Sequence, residues 1–231
     1  MTLTKANLVS KESLTPYVYK VILKPEKKVS FKAGQYLQVV MGDKDKRPFS
    51  IANMPANSDY IELHIGATPE SPYAYEVMQR LDEQQFLVLE VALGNAYIQD
   101  SSLDAILIAG GTGYSYAKSI LLDMLQNQAN RNVTLYWGAK HLEDLYEAEA
   151  LIQLSQQHAK FTFIPVVEVA ADGWQGKVGF VHHAVMQDVT NFSDKQVYVA
   201  GRFEMAKVVK DDFLPLGLLP ENLVGDAFAF I

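Results

Sequence analysis

The chain has 231 residues, no cysteine, and 20 basic against 27 acidic side chains, for a net charge of −7. Disulfides, thiol nucleophiles, cysteine zinc sites and cysteine-ligated iron–sulfur clusters are thereby excluded, and the acidic balance argues against nucleic acid, whose phosphates call for a basic excess or patch. The length allows one large domain or two of about 100 residues each, with a small soluble ligand as the fitting kind of partner. No window approaches 18 apolar residues in a row, so no membrane span is expected. The opening Met1-Thr-Leu-Thr-Lys-Ala-Asn7 has neither a signal-peptide core nor a lipidation motif; the expected location is cytoplasmic.

From Ala6 to about Ala92 short runs alternate with period two: Asn7 to Ser10, Tyr17 to Lys24, Gln35 to Met41, Phe49 to Asn53, Tyr60 to Ile65 and Phe86 to Val91. Pro25, Gly34, Gly42, Pro55 and Asn57 punctuate them, which predicts antiparallel turns and a small six-stranded barrel. One helix interrupts, Tyr73 to Leu81, with Tyr73, Ala74, Val77, Met78 and Leu81 at helical spacing after Ser71-Pro72, a cap followed by an N1 proline.

A polar segment, Gln99-Asp-Ser-Ser102, precedes a change of rhythm, and the domain boundary is placed there, giving 1–100 and 101–231. Strands are then expected at Ala105 to Ala109, Val133 to Trp137, Phe161 to Val167, Gln196 to Ala200 and Leu223 to Ala227. Helices are expected at Tyr114 to Gln128, Glu143 to Gln157, Val181 to Gln187 and Glu204 to Phe213. Strand–helix alternation implies an α/β domain with a parallel sheet, whose ligands bind beyond the strand C-termini.

The second half opens on Ala105-Ile-Leu-Ile-Ala-Gly-Gly-Thr-Gly-Tyr-Ser-Tyr-Ala-Lys-Ser119, an apolar strand, a glycine-dense turn and a helix start. Without Cβ atoms such a loop lets backbone N–H groups approach a phosphate at the positive end of the helix. Gly111-Thr-Gly113-Tyr-Ser-Tyr116 supplies two glycines of a dinucleotide fingerprint and puts Tyr116 where the third would stand. A tight turn of any α/β domain is the plainer reading. Other chemistries lack their signals: His182 and His183 would point about 100° apart on a helix, a poor metal pair, and no Gly-x-Ser-x-Gly occurs.

Read together, Lys46-Arg-Pro-Phe-Ser50, Glu62-Leu-His-Ile-Gly66, Ala109-Gly-Gly-Thr-Gly-Tyr-Ser115, Ala200-Gly-Arg-Phe-Glu-Met-Ala206 and the terminal Gly225-Asp-Ala-Phe-Ala-Phe-Ile231 resemble the ferredoxin-NADP reductase superfamily. Within it the chain is similar to bacterial NAD(P)H:flavin oxidoreductases, among them the reductases that supply reduced FMN to luciferase in luminous bacteria. The resemblance implies a flavin-binding antiparallel barrel followed by a nicotinamide-nucleotide-binding α/β domain. It also implies direct hydride transfer to free riboflavin, FMN or FAD, a reaction needing stacked rings and charge stabilisation but no protein nucleophile.

By that resemblance Ser50 hydrogen-bonds the flavin N5 region, and Arg47, Pro48, Phe49, His64 and Ile65 lie around the flavin. The plainer readings are a strand serine bonded to its own backbone, a surface salt bridge for Arg47, and a polar-face strand residue for His64. Gly110, Gly111, Thr112, Gly113, Tyr114 and Ser115 are implied on the nucleotide side, with Gly201, Arg202 and Phe203 near the nicotinamide. Ala200 stands where the superfamily has a cysteine. Asp226 is implied as a proton donor to reduced flavin, while the alternation of Asp226-Ala-Phe228-Ala-Phe230 predicts two aromatics on one face of a last strand.

Two departures carry meaning. Where FAD-holding members clamp the pyrophosphate, this chain has Gly66-Ala-Thr-Pro-Glu-Ser-Pro-Tyr73, in which Glu70 repels phosphate and each proline removes a donor. Flavin is therefore expected to come and go as a substrate. No acid ends the strand before Lys140, where NAD selectivity usually places one about 20 residues beyond the glycines, so NADPH is expected beside NADH. A luciferase or monooxygenase would consume the product. The rival readings are a flavin-retaining electron-transfer component serving an iron–sulfur or haem partner, and a regulator with dead chemistry.

Overall fold

A computed structural model describes residues 2–231. Cα packing divides them into two compact units, one of 2–98 joined by 118–120, the other of 99–117 and 121–231. No described helix is long and apolar enough to cross a membrane.

The first unit is built on β1 (Thr2–Ser13), β2 (Val18–Pro25), β3 (Tyr36–Gly42), β4 (Asp45–Ser50), β5 (Ile61–Gly66) and β6 (Phe86–Leu93), with α1 (Pro72–Gln84) before β6. All pairings are antiparallel, in the order β4-β3-β6-β1-β2-β5. This is the curled six-stranded barrel sheet the alternation predicts. Its two edges, β4 and β5, are stitched just beyond β4, where the Ala52 N–H donates to the Glu62 carbonyl at 2.8 Å. The inward half of each alternation, including Val21, Leu23, Leu37, Val39, Leu63, Ile65, Leu87 and Leu89, forms one core under the Val77, Met78 and Leu81 face of α1.

Two strand boundaries differ from the sequence reading. β1 runs well past Asn7 to Ser10 in both directions because it is hydrogen-bonded on both sides, to β2 and β6, and a bulge between Leu8 and Ser10 breaks its alternation. β4 begins at Asp45, not Phe49: Asp43 and Lys44 close a tight hairpin, so the polar Asp45-Lys-Arg47 is strand, and the chain leaves the ladder after Ser50. Pro48 is tolerated because β4 is an edge strand with no ladder to supply on its outer side.

The second unit holds β7 (Asp104–Gly110), α2 (Tyr114–Asn127), β8 (Val133–Ala139), α3 (Ala148–Gln157), β9 (Phe161–Val167), β10 (Lys177–Val178), α4 (Val181–Asp188), β11 (Lys195–Ala200), α5 (Phe203–Phe213) and β12 (Leu223–Val224). Every pairing is parallel, in the order β10-β9-β8-β7-β11-β12. The chain thus works outward from β7 to one edge and returns to the other side of β7, a topological switch point at the β7/β11 pair.

The second unit departs from the expected elements at three places. The helix expected from Glu143 starts at Ala148, because a 3-10 turn at Leu142–Asp144 is closed by a reciprocal His141–Asp144 cap and sends Leu145 into the core. The short β10 carries no periodicity of its own and exists through its pairing with Val166 and Val167. The last strand stops at Val224, and Asp226–Ala229 is a 3-10 turn. Phe228 therefore packs on the core while Phe230 is 78% exposed against Phe203, so the two aromatics do not share a sheet face.

Candidate functional site

In the second unit the glycine loop leaves the C-terminal end of β7 at the switch point. Gly111–Gly113 form a 3-10 turn that runs directly into α2. Gly111 sits at φ +52°, with nothing within 4 Å of where a Cβ would be; its constraint is conformational. Gly113 is the reverse case: a Cβ there would lie 2.3 Å from the carbonyl oxygen of Ala200, so the loop rests backbone to backbone on the turn that follows β11. A Cβ on Gly201, in that turn, would lie 2.6 Å from the Met205 methyl carbon and 3.4 Å from Gly110 Cα.

The loop is braced from beneath. Trp137 of β8, wholly buried, donates its indole N–H to the Gly111 carbonyl at 2.9 Å and stacks on Tyr114 at 3.9 Å between centroids. Tyr114 in turn donates its hydroxyl to Glu147 at 2.8 Å. Its ring is thus core, a supporting position rather than one on the open face. Ser115 Oγ is buried with no hydrogen-bond partner among the described residues, while Thr112, Lys140, Gly201, Arg202 and Phe203 are exposed beside the ends of β7, β8 and β11. A nucleotide fits these residues: a glycine surface without Cβ atoms, the open N-terminus of the 14-residue α2, and no acid at the end of β8 before Lys140.

Tyr116, where a third glycine was absent, is buried, and desolvation followed by the charges of Tyr198 and Asp226 holds its hydroxyl well above the usual tyrosine range. Asp226 is thus placed near Tyr116, at the start of the terminal 3-10 turn. The adjacent His182 and His183 also converge more than helical geometry suggests, with ring centroids 4.1 Å apart, and His182 Nε2 lies 3.9 Å from Asp212.

In the first unit, Arg47, Pro48, Phe49 and Ser50 share the edge strand β4, with Ser50 opposite Tyr36. Ser50 is half-buried and its hydroxyl joins no hydrogen bond among the described residues; it is not spent on its own backbone. Arg47 is only 8% exposed, not at the surface. Its Nε and Nη2 form a fork on Asp45 at 2.9 and 2.7 Å, Nη2 also reaches Glu76 at 2.6 Å, and Nη1 donates to the carbonyls of Tyr73 and Pro72. The hydrogen bond from Arg47 holds Asp45 below the ordinary carboxylate range.

His64 is buried too, against the expectation of a polar face open to water. It pairs with Glu62 at 2.8 Å, and Lys118, which clusters with this unit, reaches the same carboxylate at 2.7 Å. Burial alone would raise the Glu62 pKa, but the hydrogen bond from His64 and the charge of Lys118 bring it down to about 2. A folded-state value below the unfolded 4.5 means stability present above 4.5 and lost as pH falls towards 2. By pH 3.5 the loss expected from Glu62 is about 1 kcal/mol; thermal melts of Glu62→Gln should show a correspondingly shallower acid limb than the parent, and parallel limbs would refute the assignment.

Sequence reasoning missed Asp45, Glu76, Glu62 and Trp137. Asp45 stands two residues before Arg47, on the same face of a strand, and was legible from period two had the strand been extended. Glu76 and Trp137 come from elements distant in sequence and left no local signal.

Residues 107–211 match the model of an oxidoreductase NAD-binding domain. Among curated proteins, an NAD(P)H-flavin reductase of Aliivibrio fischeri is 44% identical over 95% of this chain and 96% of its own length, and one of Vibrio harveyi is 43% identical over 92% and 93%. Among solved structures, an Amycolatopsis cytochrome P450 reductase superposes with a TM-score of 0.88 at 23% identity, covering 97% of this chain and 69% of that one. A ferredoxin NADP+ reductase of Neisseria gonorrhoeae with bound FAD and NADP gives 0.77 at 20% identity, covering 94% and 92%.

Proposed function

We propose that this chain, which belongs to the NAD(P)H-flavin reductase family, catalyses the reduction of free riboflavin, FMN or FAD by NADH or NADPH through direct hydride transfer. Identity above 40% along essentially the whole of two flavin reductases is the observation that carries this reading. The nicotinamide supplies the hydride and the isoalloxazine ring accepts it. What the chain contributes is position and polarity. The glycine loop, Thr112 and the Ala200–Gly201 turn hold the nicotinamide nucleotide, and Lys140 leaves room for a 2′-phosphate. The Ser50 hydroxyl orients the acceptor ring and stabilises charge developing on it. Asp226 stands as the proton donor to reduced flavin and His64 lines the ring's side of β5, while Ile65, on the opposite face of that strand, belongs to the barrel core.

The enzyme is proposed to act in the cytoplasm and to hand reduced flavin to a luciferase or a two-component monooxygenase. A flavin-retaining electron-transfer component is disfavoured by those relatives. The test uses protein freed of colour by gel filtration. NADH and NADPH oxidation is expected only when riboflavin, FMN or FAD is added. Protein that emerges with stoichiometric flavin and passes electrons to a haem protein without added flavin would decide for the rival.

A further inference from the structure

Arg47 is a guanidinium with every donor engaged. It has five N–H groups, and Asp45 takes two, Glu76 one, and the carbonyls of Tyr73 and Pro72 one each. The side chain is enclosed further by the Tyr73 ring, 5.1 Å from the guanidinium carbon. A planar fork of this kind is the chain's best group for a phosphate, since it matches two phosphate oxygens at once. Here that geometry is spent on Asp45, and Glu76 adds a second carboxylate, so the trio carries one excess negative charge. Arg80 also acts on Asp45 and is directed to the Val40 carbonyl at 3.2 Å.

The backbone next to this trio is poor in donors as well. Pro69 and Pro72 have no N–H, and the Ser71 N–H is given to the Thr68 carbonyl at 3.0 Å. The start of α1 gives the Pro72 and Tyr73 carbonyls to Arg47. A flavin whose ring lay against Ser50 would carry its ribityl tail and any phosphate on from the strand that holds Arg47, and the guanidinium best suited to that phosphate is already fully engaged.

We propose that Asp45 and Glu76 are specificity-determining residues that withhold Arg47 from the terminal phosphate of the flavin, so that the enzyme reads the ring and ignores what the tail carries. This rests on the free-flavin reading above and deepens it: indifference to the phosphate is produced by two carboxylates, not merely by a missing clamp. Freed from them, the guanidinium would form charge-assisted hydrogen bonds to the phosphate oxygens and favour FMN over riboflavin.

The test measures kcat/KM for FMN and for riboflavin with NADH in the parent chain, in Glu76→Gln, and in Asp45→Asn with Glu76→Gln. Riboflavin carries the same ring without the phosphate, so a general loss of activity divides out of the FMN-to-riboflavin ratio. The ratio is expected to rise about threefold in the single variant and about tenfold in the double, and the gain should shrink as salt is raised. A ratio that stays at the parent value in both variants, while riboflavin is still reduced, overturns the proposal. Should the double variant fail to fold, Glu76→Gln decides alone on the same criterion. A parent chain that reduces no added flavin sinks the underlying reading instead, and is recognised by its inertness with riboflavin itself.

Discussion

Ser50→Ala is expected to lower kcat about a hundredfold with every flavin while leaving the KM for NADH within about twofold. The hydroxyl stands half-buried on an edge strand without a partner of its own, so its removal breaks no internal hydrogen bond and opens no large cavity. The loss should therefore fall on turnover rather than on folding. A donor aimed at charge that develops in the transition state is worth about 10²–10³ in rate, or about 3 kcal/mol. Ser50→Thr keeps the hydroxyl and should restore much of the rate. Steady-state rates within threefold of the parent for Ser50→Ala would show that the hydroxyl does not act on the ring.

The second large effect is expected at Gly113. Gly113→Ala puts a methyl carbon, fixed in place by the backbone, 2.3 Å from the backbone carbonyl oxygen of Ala200, and neither can swing aside as the end of a flexible side chain would. The glycine loop and the turn after β11 must part, which should cost about 2–3 kcal/mol of stability and reduce kcat/KM for NADH and NADPH more than about a hundredfold, because a displacement of 1 Å in a positioning element can alone cost about 10²-fold. Gly111→Ala is the matched comparison. Its Cβ meets nothing within 4 Å, so only its φ of +52° is penalised, by about 1 kcal/mol. Equal damage at the two positions, by denaturant midpoints and kinetics, would rule out the close approach as the reason Gly113 is glycine.

Much of this architecture was legible because it rests on periodicity. The inward-facing sets of β2, β3, β5 and β6, the amphipathic face of α1, and the strand–helix rhythm after Ser102 all follow from spacing alone. The glycine loop was legible because a strand, a Gly-Gly-Thr-Gly turn and a helix start occupy consecutive residues. What stayed hidden depends on partners far away in the chain. The full length of β1 comes from two neighbouring ladders, β10 from pairing with β9, and the burial of His64 and Arg47 from carboxylates that compensate them. The end of the chain misled for a different reason: alternating aromatics fit a strand and a 3-10 turn alike over so few residues, and Gly225, whose Cβ would meet the Val199 carbonyl oxygen at 2.6 Å, marks the point where the ladder stops.

The position of β4 in its sheet has one more consequence. The strands that carry the nucleotide loop, β7 and β11, each lie between two hydrogen-bonded neighbours, whereas the strand that carries Arg47 to Ser50 is laddered on one side only. If the donor binds at the glycine loop and the acceptor at Ser50, as proposed, the donor meets a floor clamped along both margins and the acceptor a hem. Elastic compliance is thereby distributed unequally between the two reactants. On the proposed reading the nucleotide, which differs little from one turnover to the next, would be received rigidly, and the flavin, which arrives with tails of different bulk, by an edge of its sheet that can yield.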